Sequence, residues 1–190
     1  MFCEAHSYDL SALGHLMRKG LIQVYTGNGK GKTTAALGLA LRAVGHQMKV
    51  LMVQFMKGNV GYGEVESAKR LSPYLTMIQV GRETFISKSN PDPEDLQFAR
   101  EGFLMARKAI QDKQYDIVIL DEINLAIDYG LIPLGDLLQI MDSKPETVEL
   151  ILTGRNVNRA ILQRADLVTD MVDRKHYYEK GVPAREGIEV

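Results

Sequence analysis

The sequence T-G-N-G-K-G-K-T-T, at residues 26–34, decides the fold of this chain of 190 residues. It directly follows a short apolar run at residues 21–25, and residues 32–44 then carry apolar side chains at helical spacing. A strand, a glycine-rich loop and Gly-Lys-Thr at the start of a helix form the arrangement of a phosphate-binding loop. The sequence therefore predicts a nucleotide-binding site next to the first strand of an α/β domain.

The residue types of this loop account for the predicted chemistry. Glycine accepts backbone conformations that other residues resist, so successive amide groups of the loop can point inward at phosphate oxygens. Lys32 adds a compact positive charge, and Thr33 offers a hydroxyl group to Mg²⁺. The candidate phosphate-binding residues are Gly27, Asn28, Gly29, Lys30, Gly31, Lys32, Thr33 and Thr34.

The loop departs from the strict pattern at one position. That pattern has glycine at position 26, where this chain has Thr26, so we expect Gly27 to form the turn instead.

Two alternatives to a phosphate loop follow from the same residues. The first alternative is a glycine-rich turn that binds nothing. The second is a dinucleotide-binding fingerprint, which requires a third glycine where Lys32 stands. The strand before the loop and the helix after it favour the phosphate loop.

A second motif is D-I-V-I-L-D-E at residues 116–122, in which four apolar residues are followed by two acids. In phosphate-loop proteins such a strand lies beside the first strand and presents an aspartate to Mg²⁺. We expect Asp121 to bind the metal directly or through water, opposite Thr33. Glu122 is then either a second metal contact or a base. The alternative is a strand that merely ends in polar turn residues.

Six short apolar runs predict strands at residues 21–25, 49–55, 75–80, 116–120, 148–153 and 167–172. Several are nearly continuous in apolar residues, which is typical of strands buried on both faces of a parallel sheet. Helices are predicted at residues 32–44, 95–110 and 157–164 and after Pro133. The helix at 95–110 has Asp92 as a possible cap and Pro93 in its first turn.

This alternation predicts a doubly wound α/β fold with a mostly parallel six-stranded sheet, like that of the phosphate-loop NTPases. We expect a single such domain over residues 21–190, ending in a loop-like tail from residue 175. We expect residues 1–20 to form an N-terminal arm that contains a short helix. That helix either docks on the core or acts as a mobile arm that covers a ligand site or reaches a partner subunit.

The carboxyl ends of other strands provide further candidates, because ligands of open α/β sheets gather there. Lys57 follows the second strand and can bind a phosphate or the carboxylate of a ligand. Arg155 follows the fifth strand and can bind a phosphate through two parallel hydrogen bonds. The alternative for both is a solvated loop cation. Phe85, after the third strand, is either a core residue or one wall of a ligand pocket.

The composition excludes several classes of protein. The 23 Lys and Arg residues balance the 24 Asp and Glu residues, so no net positive field attracts nucleic acid or anionic lipid. No apolar run is long enough to span a bilayer, and the first residues do not read as a secretory signal. The single cysteine, Cys3, allows no intrachain disulfide. We expect a cytoplasmic protein without a nucleic-acid or membrane partner.

Five further motifs follow the phosphate loop in order. They are V-Q-F-M-K-G at 53–58, V-I-L-D-E-I-N at 118–124, I-L-T-G-R-N at 151–156, A-D-L-V-T-D-M at 165–171 and K-H-Y-Y-E-K-G-V-P-A-R-E-G-I-E at 175–189. Together with the loop they resemble the phosphate-loop type of ATP:corrinoid adenosyltransferase, also called cob(I)alamin adenosyltransferase. The resemblance covers nearly the whole chain, and the first and last of the five motifs are its most specific parts.

The resemblance implies a reaction and its partners. The family transfers the 5′-deoxyadenosyl group of ATP to the cobalt of a reduced corrinoid such as cob(I)alamin, and tripolyphosphate leaves. The resemblance also implies a homodimer and a reduced flavoprotein as electron donor. Phe85 and Ile86 stand where the family places aromatic residues against the corrin ring.

The same resemblance implies roles for individual residues. Residues 27–33 would hold the triphosphate, with Thr33 and either Glu122 or Asp121 near Mg²⁺. Lys32, Thr33 and Glu122 are therefore the predicted catalytic residues.

Two other functions use the same loop. A phosphate-loop ATPase or kinase would be attacked at phosphorus, with Glu122 as base and Arg155 stabilising charge. A nucleotide-dependent switch would bind ATP without turnover. Neither needs the tail at residues 175–189, which therefore favours adenosyl transfer.

Overall fold

The computed structural model describes residues 19–58, 61–84 and 86–189, in which strands and helices alternate. The strands are β1 (Ile22–Thr26), β2 (Val50–Phe55), β3 (Leu75–Val80), β4 (Ile117–Asp121), β5 (Glu149–Thr153) and β6 (Leu167–Asp170). The helices are α1 (Lys32–Val44), α2 (Gly63–Arg70), α3 (Pro93–Gln111), α4 (Ile123–Asp128), α5 (Leu134–Ser143) and α6 (Arg159–Leu162). The six predicted strands and the predicted helices α1, α3, α5 and α6 are confirmed.

The strands form one sheet in the order β3-β2-β4-β5-β1-β6, and every neighbouring pair is parallel. This confirms the predicted doubly wound α/β fold. The prediction that the acidic strand β4 lies beside β1 is wrong, because β5 pairs with both strands and separates them. The end of β4 still reaches the phosphate loop, because α1 packs across β1, β5 and β4 on one face of the sheet.

Apolar side chains are buried on both faces of the sheet, as β4 illustrates. Val118 and Leu120 pack in the larger cluster, beneath α3, α5 and α6. Ile117 and Ile119 point to the opposite face and pack in a second cluster with α1 and α2. This two-sided burial explains why the strand sequences are nearly continuous in apolar residues.

Helices α2 and α4 were not predicted, for different reasons. The sequence of α2, G-E-V-E-S-A-K-R, buries only Ala68 and therefore has no apolar stripe. Helix α4 starts two residues after β4, so its apolar residues merge with those of the strand in the sequence.

Helix α3 begins at Pro93 and is capped by Asp92, whose carboxylate accepts a hydrogen bond of 3.0 Å from the Glu94 amide, as predicted.

The tail of the chain differs from the prediction. It was predicted to be loop, but it contains a short 3-10 helix at Tyr177–Lys180. The predicted N-terminal arm lies outside the described residues, apart from its last two. No helix in the described ranges has the length and apolarity that a bilayer crossing requires.

Candidate active site

The phosphate loop packs against the residues that follow β6. Gly27 has a φ of 93° and Gly31 a φ of 120°, both in the region that favours glycine. A Cβ atom on Gly27 would lie 2.2 Å from Oδ1 of Asp170, so only glycine fits there. The amide of Gly29 donates a hydrogen bond of 2.7 Å to the carbonyl of Met171. Gly27 therefore makes the turn that the strict pattern assigns to position 26, as the sequence predicts.

Lys32 is buried beside this loop, with only 6% of its surface exposed. Its ammonium group donates hydrogen bonds of 2.7 and 2.8 Å to the carbonyl oxygens of Gly27 and Gly29. Burial lowers the pKa of Lys32, and the nearby Glu122 carboxylate opposes that effect. Since an ammonium group has three hydrogens, one remains for a phosphate oxygen.

Asp121, at the end of β4, has no exposed surface and accepts four hydrogen bonds. Its Oδ1 accepts from the hydroxyls of Thr33 at 2.9 Å and Thr153 at 2.7 Å. Its Oδ2 accepts from the Gln54 amide at 3.2 Å and the Lys57 ammonium at 3.1 Å. The carboxylate is thus fully engaged by protein donors.

Glu122 is placed differently from its neighbour. Its backbone has a φ of 60°, and its amide donates a hydrogen bond of 2.8 Å to the Thr153 hydroxyl. Its Oε2 is buried and has no hydrogen-bond partner. Burial, reinforced by the Asp121 charge, raises the pKa of Glu122, while Lys57 and Lys32 oppose the rise. This oxygen is therefore free to accept from a ligand or to contact a cation.

The donor set at this point suits Mg²⁺. In the described part of the chain no three His, Cys, Asp or Glu residues form an all-protein metal cage. Mg²⁺ is usually bound through one or two carboxylates together with the phosphates of a substrate, and it prefers oxygen ligands. The hydroxyl of Thr33 and the free oxygen of Glu122 are such donors.

Lys57 is not a solvated loop cation. Besides its bond to Asp121, its ammonium lies 3.7 Å from Oε1 of Glu64 and 5.4 Å from the centre of the Tyr62 ring. Burial alone would lower the pKa of Lys57, but the charge and hydrogen bond of Asp121, with help from Glu64, raise it above its usual value. Arg155, in contrast, is exposed on the loop after β5.

Most predicted site residues line one pocket of about 670 Å³. These are Gly29, Lys30, Gly31, Lys32, Thr33, Thr34, Lys57, Glu122 and Arg155. Gly27 and Asn28 form the first turn of the loop, and Asp121 is buried behind Thr33. Phe85 lies outside the described residues, so its predicted contact with a ligand stays a prediction.

Residues 18–190 match the family model described as ATP:corrinoid adenosyltransferase BtuR/CobO/CobP. The chain belongs to this family.

Several corrinoid adenosyltransferases are similar to this chain over most of their length. The corrinoid adenosyltransferase of Escherichia coli is 39% identical over 171 residues, which cover 90% of this chain and 86% of the relative. The corrinoid adenosyltransferase CobA of Salmonella typhimurium is 36% identical with the same coverage of both chains. A corrinoid adenosyltransferase of Sinorhizobium is 35% identical, over 90% of this chain and 80% of the relative.

A solved structure supports the fold alone. The flagellar accessory protein FlaH from Methanocaldococcus jannaschii superposes on this family member with a TM-score of 0.53 and 17% identity. The match covers 88% of this chain and 78% of FlaH.

The tail of this family member closes one side of the pocket. The Lys30 ammonium donates a hydrogen bond of 3.3 Å to the carbonyl of Ile188, and Glu189 also lines the pocket. Glu189 is held by Arg185 at 3.1 Å and by the hydroxyl of Tyr177. These two hydrogen bonds, with Arg185 the stronger influence, lower the pKa of Glu189 to about 2. The tail is therefore a folded wall of the site.

Several residues of the site were not found from the sequence. Gln54 and Glu64 contact the Lys57–Asp121 pair, and Thr153 links Asp121 to the amide of Glu122. Gln54 lies within the quoted motif V-Q-F-M-K-G, so the resemblance marks its region without giving it a role. No local pattern distinguishes Thr153 from an ordinary residue at the end of a strand.

Proposed function

We propose that this protein transfers the 5′-deoxyadenosyl group of ATP to the cobalt of a reduced corrinoid and releases tripolyphosphate. The observation that carries the proposal is the pocket that the phosphate loop shares with Lys57, Glu122 and Arg155, in a chain of this family. A triphosphate in this pocket would lie against the loop residues 29–34 and would meet the free hydrogen of Lys32.

The proposed reaction is a substitution at carbon. Cobalt(I) of the substrate attacks the 5′ carbon of ATP, a cobalt–carbon bond forms, and the carbon–oxygen bond breaks. Its electron pair leaves with the triphosphate. Because cobalt(I) is already a strong nucleophile, the protein has to hold the two reactants in line at close distance rather than activate one.

The main electrostatic task is to stabilise the leaving group. Negative charge grows on the triphosphate as the bond breaks, and fixed donors meet that charge without reorganising. We assign this role to the loop amides and Lys32, and we assign a phosphate contact to the exposed Arg155. The reaction requires no general base. We therefore assign Glu122 as a metal contact rather than as a residue that activates water.

We assign Thr33 and Glu122 as the residues that would hold Mg²⁺. Bound Mg²⁺ would supply positive charge close to the leaving triphosphate. The unpartnered Oε2 of Glu122 supports its assignment. Asp121 acts through Thr33, since its two oxygens already accept four hydrogen bonds.

The partners follow from the resemblance of the motifs. We propose a homodimer, a cytoplasmic location and a reduced flavoprotein as the electron donor that produces cobalt(I). We also propose that Phe85 contacts the corrinoid. Residues 21–190 form the catalytic domain in this proposal.

An anaerobic assay tests the reaction. The protein is mixed with Mg²⁺, ATP and chemically reduced cob(I)alamin, and the absorption spectrum is followed while phosphate products are separated. Adenosyl transfer gives tripolyphosphate and a corrinoid whose new bond is broken by light. Orthophosphate with an unchanged corrinoid spectrum would instead indicate an ATPase, and binding of ATP without any product would indicate a switch.

A further inference from the structure

A row of polar side chains crosses the sheet at the carboxyl ends of its strands. Gln79 on β3 and Asp121 on β4 are the register neighbours of Gln54 on β2. The Gln79 amide donates to Oε1 of Gln54 at 2.9 Å, and the Gln54 amide donates to Asp121 at 3.2 Å. The row continues to Thr153 on β5, which donates to Asp121 at 2.7 Å.

The proposed reaction gives no role to Gln54, which lies at the centre of this row. Its side chain has no exposed surface, although a buried amide needs partners for both its oxygen and its nitrogen. Its nitrogen donates to two carboxylates, Asp121 at 3.2 Å and Glu64 at 3.3 Å. Because its oxygen is occupied by Gln79, the nitrogen is directed toward these two acids.

The two acids are the same ones that flank the Lys57 ammonium. Lys57 lies 3.1 Å from Asp121 and 3.7 Å from Glu64. A neutral donor between two carboxylates reduces their repulsion without adding charge, so one ammonium group suffices to pair with both. Gln54 thereby holds Asp121 in the orientation in which its other oxygen accepts from Thr33.

This orientation matters for the pocket. A hydroxyl whose hydrogen is donated to Asp121 keeps its lone pairs available on its other side. Thr33 lines the pocket, whereas Gln54 and Asp121 are fully buried. Gln54 therefore reaches the pocket through its two acceptors: Asp121 accepts from the lining residues Thr33 and Lys57, and Glu64 itself lines the pocket.

We propose that Gln54 is a positioning residue for the Mg²⁺–triphosphate end of the pocket, acting through Asp121 on Thr33. The inference rests on the proposed function for the identity of the ligand. Neighbours of metal-binding groups typically change metal affinity or activity by about 10- to 100-fold when they are replaced. We therefore expect a loss that depends on Mg²⁺ rather than a general loss of nucleotide binding.

The experiment compares Gln54→Met with Gln23→Met. Both variants replace a glutamine of the sheet by an apolar side chain of similar size, and both remove an amide-to-carboxylate hydrogen bond. Gln23 donates to Glu149 at 2.6 Å and does not line the pocket. Binding of ATP is measured by calorimetry with Mg²⁺ and with a chelator, in the absence of corrinoid.

We expect Gln54→Met to weaken Mg²⁺–ATP binding about 10-fold while binding in chelator is unchanged. Gln23→Met should change neither. Unchanged Mg²⁺–ATP binding in Gln54→Met, or an equal loss with and without Mg²⁺, would overturn the proposal. In transfer assays Gln54→Met should have a lower kcat and a higher KM for ATP, whereas its KM for the corrinoid should be unchanged.

A second variant, Gln79→Met, keeps the proposal testable if Gln54→Met does not fold. Gln79→Met removes the donor that orients Gln54 but keeps the buried amide, and it should weaken Mg²⁺–ATP binding in the same direction by a smaller factor. If Gln54→Met does not fold, normal Mg²⁺–ATP binding by Gln79→Met overturns the proposal. The calorimetric binding measurements use no corrinoid. They therefore test the role of Gln54 even if the product assay contradicts adenosyl transfer.

Discussion

Thr33 and Asp121 lie 88 residues apart in the chain, and the Thr33 hydroxyl donates a hydrogen bond of 2.9 Å to the Asp121 carboxylate. This bond joins the first turn of α1 to the end of β4, although β5 stands between β4 and β1 in the sheet. The bond therefore links the phosphate loop directly to the acidic strand.

Replacing Thr33 tests this link. Thr33→Val keeps the shape of the side chain but removes the hydroxyl, so both the bond to Asp121 and the proposed metal contact are lost. We expect the rate of adenosyl transfer to fall by about 100-fold. Thr33→Ser retains the hydroxyl and serves as the control, with a much smaller effect. Equal rates for the Val and Ser variants would contradict the assignment.

Replacing Lys32 tests stabilisation of the leaving group. Lys32→Ala removes the cation that is anchored on the carbonyls of Gly27 and Gly29. Loss of a fixed donor at a developing charge costs on the order of 100-fold or more in rate. Single-turnover transfer to cob(I)alamin at saturating ATP measures this loss. A Lys32→Ala protein with full transfer activity would exclude Lys32 from the mechanism.

Glu122 provides a test in which stability and activity change in opposite directions. Its pKa is raised in the folded protein, chiefly by burial, so the folded state holds its proton to higher pH than the unfolded chain does. Stability is therefore lost as the pH rises from the usual glutamate pKa through the higher folded value. Glu122→Gln carries no charge and should escape this loss.

We expect Glu122→Gln to raise the free energy of unfolding at neutral pH while slowing transfer. The gain should disappear in acid, where the carboxyl is protonated in both states. Denaturant unfolding of both proteins at several pH values measures it. A variant less stable than the parent at neutral pH, or a gain that does not vary with pH, would contradict this account of Glu122.

Two glycines inside helices should respond oppositely to alanine. A Cβ on Gly102 of α3 would lie 2.6 Å from Cγ2 of Val80, whereas a Cβ on Gly38 of α1 would have no neighbour within 4 Å. Alanine gains up to about 1 kcal/mol over glycine in a helix, but overpacking costs about 1–3 kcal/mol. Thermal unfolding should show Gly38→Ala more stable and Gly102→Ala less stable than the parent. Stabilisation by both would mean that α3 shifts freely away from β3.

The sequence by itself determined the local elements. The phosphate loop, its strand and α1 could be predicted because one continuous stretch carries the glycines, the lysine and the helical spacing. The same holds for β2, β4 and β5, whose two-sided burial leaves an apolar run in the sequence. The family resemblance followed from such local motifs, and it marked the tail that lines the pocket.

Only the tertiary structure decided which of these elements meet. The order of strands placed β5 between β4 and β1, and no local signal encodes that choice. The same order brings Gln54 within 3.2 Å of Asp121, which is 67 residues away in the chain. It also leaves Asp121 saturated with donors and an oxygen of Glu122 without any, although the two acids are adjacent in sequence. Hydrogen-bond partners depend on distances between strands, and those distances are set by the packing of the whole sheet.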